Sequence, residues 1–277
     1  MKYRLKQPSI IYLLFTVLIL TACGPAVAQV GGSDNSPAAS YTERGEVASA
    51  AGTSGEVADA AAVTSPANSA AAIVTNTTAA AFDKNGVQVG FTAEGRPYRG
   101  NPDAPVVIHE YSDYQCPYCA RFAQETMPGL LANQITNGEA VLIFYDYPLT
   151  SIHPQAVAAA NAARCAGEQG AIAYWEMHDA LFHNISEWGN GRAETIFSQY
   201  AAANGLDLAQ FDECQASDRY HQEILAEVEY GATQGVRSTP SFFINGQPLI
   251  GAQPLSVFNH AITAVLNGGE IAAAQPE

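Results

Sequence analysis

Positive charge is scarce in this chain. Its 277 residues hold 12 Lys and Arg against 27 Asp and Glu. So acidic a protein offers no basic face for nucleic acid; its charge speaks for solubility. The apolar run from Ile10 to Leu20 is too short for a comfortable membrane span, which takes about 20 residues. Between Gly24 and Ala81 there is no leucine and one aromatic, Tyr41. That composition excludes a packed domain there, because it cannot bury enough apolar surface to offset the entropy of ordering. Cysteine is sparse as well, with five in the chain and one Cys-x-x-Cys, Cys116–Cys119. A closed structural zinc site needs four ligands. With no second Cys-x-x-Cys and no close Cys/His pair, no metal site is expected. Internal repeats are absent.

The N-terminus carries Lys2, Arg4 and Lys6 ahead of the apolar run, the pattern of a secretory signal. Leu20-Thr21-Ala22-Cys23 resembles a bacterial lipobox, which implies cleavage after residue 22 and a lipid on Cys23. The alternatives are an ordinary signal or a retained anchor. Each of them takes the chain out of the cytoplasm and into surroundings where disulfides persist. Loss of residues 1–22 removes three cations, leaving 9 basic against 27 acidic side chains. Residues 23–82 then read as a disordered tether rich in Ala, Ser and Thr, with a reach of roughly 40 Å as a flexible coil.

From 83 onward the composition is that of a folded domain. "GVQVGF" suggests a short leading strand near 87–91. "APVVIHEYS" (104–112) is nearly continuous in apolar residues, as in a strand buried on both faces. A helix is expected to start near Cys116, with Pro117 at its first position and a kink at Pro128. "AVLIFYDYPL" (140–149) predicts a second buried strand, completing a βαβ unit with a right-handed crossover. His153 to Gln234 shows three- and four-residue apolar spacing and reads as helices only. "TPSFFINGQPLIGA" (239–252) predicts a hairpin turning at Asn245-Gly246, and a last helix ends at Gly268-Gly269.

This order, with a Cys-x-x-Cys opening the first helix, resembles the DsbA-like thiol–disulfide oxidoreductases, particularly their anchored bacterial lipoproteins. The resemblance runs over about residues 95–268. Its carriers are "GNPDAPVVIHEYSDYQCPYC", "PLTSIHPQA", "CAGEQGAIAYWEMHDALF" and "STPSFFINGQPLIGA". It implies an α/β thioredoxin fold, βαβ then ββα, with a helical domain inserted at about 153–234 inside a domain of 83–277. It also implies a protein disulfide oxidoreductase that works without a bound cofactor.

Cys116 and Cys119 are the candidate catalytic pair. Unpaired N–H groups at a helix start favour a thiolate on Cys116, which is expected to be the exposed, acidic thiol. Cys119, one turn on, is expected to be buried and to resolve mixed disulfides. Pro117 and Tyr118, between them, help set the potential. By resemblance Glu110 matches a buried carboxyl below the active site that exchanges a proton with Cys119; otherwise it is a solvated strand-end carboxylate. Asp113 reads as a cap of the turn before the helix. Also by resemblance, Thr239-Pro240 is a cis pair facing the cysteines, where Thr239 pairs with an extended substrate. Cys165 and Cys214 fall in separate helical segments, and outside the cytoplasm they read as a structural disulfide, the alternative being a second redox pair. His153, His178 and His183 read as structural, and Trp175, Met177 and Phe182 as core.

The expected function is oxidation of cysteine pairs in secreted proteins. Reduced clients would be the substrates, with reoxidation by a quinone-linked membrane partner of the DsbB or vitamin K epoxide reductase type. The alternatives are a reductase or isomerase of the same fold, and a thiol-dependent chaperone or metallochaperone without turnover.

Overall fold

The computed structural model describes residues 80–271. The signal segment, Cys23 and the tether up to residue 79 lie outside the described residues. The chain enters a short antiparallel meander: β1 (Ala81–Phe82), β2 (Gln88–Phe91) and β3 (Pro97–Arg99). The sheet thus begins two residues inside the segment read as tether, and only β2 matches an expected strand. Strands of two to four residues are too brief to show a period. What makes them is turn chemistry. Asp83 Oδ1 accepts from Asn85 N at 2.8 Å and Val87 N at 3.0 Å, and Gly86 takes φ +75°.

β4 (Val106–Ser112) and β5 (Ala140–Asp146) are parallel, with Ile108 opposite Leu142 and Ser112 opposite Asp146. β6 (Ser241–Ile244) and β7 (Gln247–Ile250) form the hairpin, and both Asn245 and Gly246 have positive φ, as a type I′ turn demands. Among the described residues the seven strands run in the order β1-β2-β3-β5-β4-β6-β7, which leaves β7, with Pro248 on it, at one edge.

The crossover from β4 to β5 is one irregular helix. α1 (Pro117–Arg121) passes into a π turn at Phe122–Thr126, then α2 (Met127–Leu130), then a second π turn at Leu131–Ile135. The expected kink at Pro128 takes this form. Proline has no N–H and its ring crowds the carbonyl four residues back, and a π turn just before it opens the helix by one residue. α9 (Leu255–Leu266) packs on the same face of the sheet, where Phe122, Phe242 and Phe258 stack within 4.5–5.2 Å.

Between β5 and β6 come α3 (Ala156–Gly167), α4 (Ala171–His183), α5 (Ile185–Trp188), α6 (Ala193–Ala203), α7 (Leu208–Ala216) and α8 (His221–Thr233). Trp175, Met177 and Phe182 of α4 are fully buried against the main core. α8 covers the other face of the sheet. Its Gly231 is there because a Cβ would lie 2.8 Å from the Tyr147 ring and 2.9 Å from Tyr111.

The structure joins Cys165 of α3 to Cys214 of α7, 49 residues apart in sequence. Closing a loop of that size stabilises mainly by restricting the unfolded chain. Replacing both cysteines with alanine is therefore expected to cost about 2–4 kcal/mol. Urea unfolding should show this as a lower midpoint, with the potential of Cys116–Cys119 unchanged. A shifted potential would mean that the second pair exchanges electrons with the first.

Candidate active site

β4 alternates. Val106, Ile108, Glu110 and Ser112 face the core that holds α1, and Val107, His109 and Tyr111 face the other way. The strand then hands over to a turn built on Asp113, which is itself buried. Its Oδ1 accepts from Gln115 N at 2.7 Å, the capping role expected for it. Its Oδ2 accepts from Leu149 N at 2.8 Å and pairs with His153 Nδ1 at 2.7 Å. Gln115 extends the tie. Its side chain accepts from Gln155 N at 2.7 Å and donates to Gly189 O at 2.8 Å. The turn is thus bolted to both the β5–α3 loop and the inserted helices.

Cys116 is the N-cap of α1 in extended conformation, and Pro117 is the first helical residue. Both cysteines are free thiols here. Cys116 is 4% exposed and Cys119 0%. The order is the expected one, but the prominence expected of Cys116 is not seen, because the Thr239 backbone covers it. Its Sγ lies 3.6 Å from Thr239 O. Cys116 is acidified to about 6. A hydrogen bond from the Cys119 thiol contributes most, and the Thr239 hydroxyl and the N–H groups of Tyr118 and Cys119 add to it against the opposing effect of burial. Burial pushes the Cys119 thiol well up, and the neighbouring Cys116 sulfur pushes it further. Asp113 N donates to Cys119 Sγ at 3.5 Å.

Thr239-Pro240 is cis and immediately precedes β6. Tyr118 is more than half exposed, with the Arg121 guanidinium 5.1 Å from its ring centre.

Glu110 is not in solvent. It is 1% exposed, flanked in register by Phe144 on β5 and Phe242 on β6. Burial in that apolar slot raises its pKa to about 8. A carboxyl whose folded pKa lies above its ordinary 4.5 favours folding fully below about 4.5, and that contribution is lost as the pH rises through 8. At about 1.4 kcal/mol per pKa unit, Glu110→Gln is expected to be more stable than the parent at pH 9 by over about 1 kcal/mol. At pH 4 the two should be nearly equal. Identical urea midpoints at pH 9 would mean that the carboxyl is solvated.

Ser112, two residues beyond Glu110 on the same strand face, is buried as well, and that place is its only sequence signal. Among the described residues no group of three or more His, Cys, Asp or Glu is arranged to hold a metal ion.

A βαβ–ββα sheet with a dithiol at the start of the first helix, and helices inserted between the halves, is a thioredoxin fold of the DsbA type. The chain belongs to the thioredoxin family, whose profile, described as Thioredoxin, matches residues 92–264. It is similar to the crystal structure of alpha-DsbA1 from Wolbachia pipientis, with a TM-score of 0.57 and 22% identity over 64% of this chain and 94% of that one. It is 37% identical over 170 residues to a Na(+)/H(+) antiporter NhaA 1 from Salinispora arenicola, covering 61% of this chain and 24% of the antiporter. It is 23% identical over 150 residues to a putative protein-disulfide oxidoreductase from Rickettsia bellii, 53% of this chain and 56% of that protein. The chain thus spans about a quarter of the length of the antiporters it matches and about half of the Rickettsia protein.

Proposed function

We propose that the chain is an extracytoplasmic thiol–disulfide oxidoreductase that oxidises cysteine pairs in secreted proteins. The observation that carries this reading is the asymmetry of one dithiol. Cys116 is an acidic sulfur at a helix start, and Cys119 is a buried thiol held protonated. Stabilising the Cys116 thiolate stabilises the reduced form, which makes the disulfide form an oxidant.

In the oxidised state Cys116 and Cys119 share a disulfide. A client thiolate attacks Cys116 Sγ. The Cys116–Cys119 bond breaks, and Cys119 leaves with the electron pair and gains a proton. The client's second thiolate then attacks its own sulfur in the mixed disulfide and expels Cys116 as thiolate. The client loses two electrons and two protons, and the dithiol is left. Thr239, whose backbone lies over Cys116, is the place for an extended client to align. Glu110 supplies or takes the proton at Cys119. Reoxidation falls to a quinone-linked membrane protein of the DsbB or vitamin K epoxide reductase type. A lipid on Cys23 and the tether after it hold the domain at a bacterial membrane.

Ion transport is not carried over from the antiporters. The chain covers only 24% of the Salinispora protein, and among the described residues no helix is long and apolar enough to cross a membrane.

The test is the equilibrium potential of Cys116–Cys119 against glutathione. A value near about −120 mV supports oxidation, and one near about −270 mV makes the protein a reductase. Turnover of neither a reduced peptide nor insulin would sink the enzyme reading and leave a thiol-dependent binding module.

A further inference from the structure

Among the buried polar atoms near the dithiol that have no hydrogen-bond partner among the described residues, two belong to β4: Glu110 Oε2 and Ser112 Oγ. Buried donors and acceptors are paired in the great majority of folded proteins, and an orphan in a native site calls for a reason. These two are not scattered. They sit two residues apart on β4, so the pleat points both to the α1 face. The Ser112 hydroxyl lies near enough to act on both Glu110 and Cys119, though it makes a hydrogen bond to neither in this dithiol form. On the far side of Cys119, Asp113 N at 3.5 Å fixes the sulfur over the end of the strand. The hydroxyl therefore stands between a carboxyl and a thiol, both buried, with apolar rings on the neighbouring strands.

We propose that Ser112 is a catalytic residue, the hydroxyl that relays a proton between Glu110 and Cys119 during disulfide exchange. The inference rests on the thiol–disulfide reading of the Cys116–Cys119 pair. When the Cys116–Cys119 bond breaks, the sulfur of Cys119 leaves as a thiolate. Ser112 gives its proton to that sulfur and takes one from the Glu110 carboxyl, and Glu110 is left as a carboxylate until solvent reprotonates it. When a mixed disulfide is resolved, the same path runs backwards. Cys119 gives its proton to Ser112, Ser112 passes one to the Glu110 carboxylate, and the Cys119 thiolate attacks Cys116. No electrons move along the relay, and the serine is unchanged at the end of each pass. A hydroxyl suits the task because it donates and accepts at once. With both orphan atoms unpaired in the dithiol form, neither has a competing partner to abandon when the relay closes.

The charged and titratable groups around this path are few. Arg99 on β3 acts on Glu110 across the sheet, Asp146 on β5 stands opposite Ser112, Tyr114 lies in the turn after β4, and Cys116 shares the helix with Cys119. Burial raises the pKa of Glu110 to about 8, so it holds a proton to give near neutrality.

The experiment follows reduction and reoxidation of Cys116–Cys119 in the full chain by dithiothreitol, as rate against pH, for the parent, Ser112→Ala, Ser112→Thr and Glu110→Gln. Loss of acid–base assistance of this kind costs about 100-fold or more. Ser112→Ala is expected to slow both directions by that order and by the same factor, leaving the equilibrium potential in place. Ser112→Thr, which keeps the hydroxyl, is expected to stay within a few-fold of the parent. Ser112→Ala/Glu110→Gln is expected to be no slower than the slower single variant, because both act on one path. Rates for Ser112→Ala within twofold of the parent would overturn the relay. So would a slowing of Ser112→Thr equal to that of Ser112→Ala, or a potential shift large enough to account for the rate change. Dithiothreitol needs only the two cysteines. A protein that exchanges with it but turns over no peptide or insulin refutes the proposed function while leaving the relay result standing.

Discussion

Cys116→Ser forms no mixed disulfide with a disulfide-bonded peptide, whereas Cys119→Ser, whose Cys116 thiolate attacks the peptide disulfide and expels its other sulfur, accumulates one that persists until an external thiol removes it. The expectation follows from where the two sulfurs sit. Cys116 is at the helix start, under the Thr239 backbone, and is acidified to about 6. Cys119 is sealed beneath it and kept as a thiol. A thiolate is the attacking species in exchange, so near pH 7 only Cys116 is ready to react. Loss of Cys116 removes the entry point entirely. Loss of Cys119 removes the internal thiol that would expel the client. Gel mobility after acid quenching reads both results. Alkylation rate against pH in Cys119→Ser gives the Cys116 pKa directly, with a midpoint expected near 6, because the serine hydroxyl also donates a hydrogen bond in place of the Cys119 thiol. A midpoint above about 8 would leave no useful thiolate and would remove the basis for the oxidase assignment.

Arg164→Ala is expected to cost about 3–5 kcal/mol of unfolding free energy, the usual penalty for removing one partner of a buried ion pair. Arg164 leaves α3 and meets Asp146 at the end of β5, Nε to Oδ2 at 2.7 Å, and Glu227 of α8 at 2.9 Å. Glu227 in turn accepts from Asp146 N at 2.9 Å. One guanidinium therefore ties two inserted helices to the central strand pair. Its removal leaves Asp146, with its side chain 3% exposed, beside Glu227 without the intervening cation. Arg164→Lys retains the charge but not the planar fork, and is expected to recover only part of the loss. Urea unfolding checks both variants. A cost below about 1 kcal/mol for Arg164→Ala would mean that the cluster behaves as an exposed pair.

The parts of this fold that the sequence made legible are those whose cause is local. Asn245-Gly246 announced its turn because few residue pairs take positive φ twice in succession. Pro117 announced the helix start. The two parallel strands were visible as apolar runs because helices cover both faces of the sheet. The meander β1–β3 was mostly hidden, since its strands are held by turns rather than by a period. The start of α7, whose segment with Cys214 reads as helical, was not legible, although Asp207 caps it by accepting from Ala209 N at 2.9 Å and Gln210 N at 3.2 Å. Nor could sequence distinguish a plain proline kink from paired π turns. In the candidate site, the two cysteines are three residues apart and were plain to see. Thr239 lies 123 residues beyond Cys116 and needed a family resemblance to be found. Ser112 depends on strand register and on which helix covers that face, which become visible only once the chain is folded.

The hairpin edge has a further consequence. The two-residue turn makes Ile244–Gln247 a hydrogen-bonded pair, so alternation points the backbone groups of Pro248 and Ile250 away from β6. Pro248 has no N–H to offer there. The Ile250 carbonyl is already taken by the Gln253 side-chain amide at 2.9 Å. An unfolded polypeptide drifting along β7 thus finds two of its docking points withdrawn, one by covalent structure and one by a side chain folded back over it. Templated strand growth from that rim, the first step of aggregation from an open sheet, is thereby disfavoured.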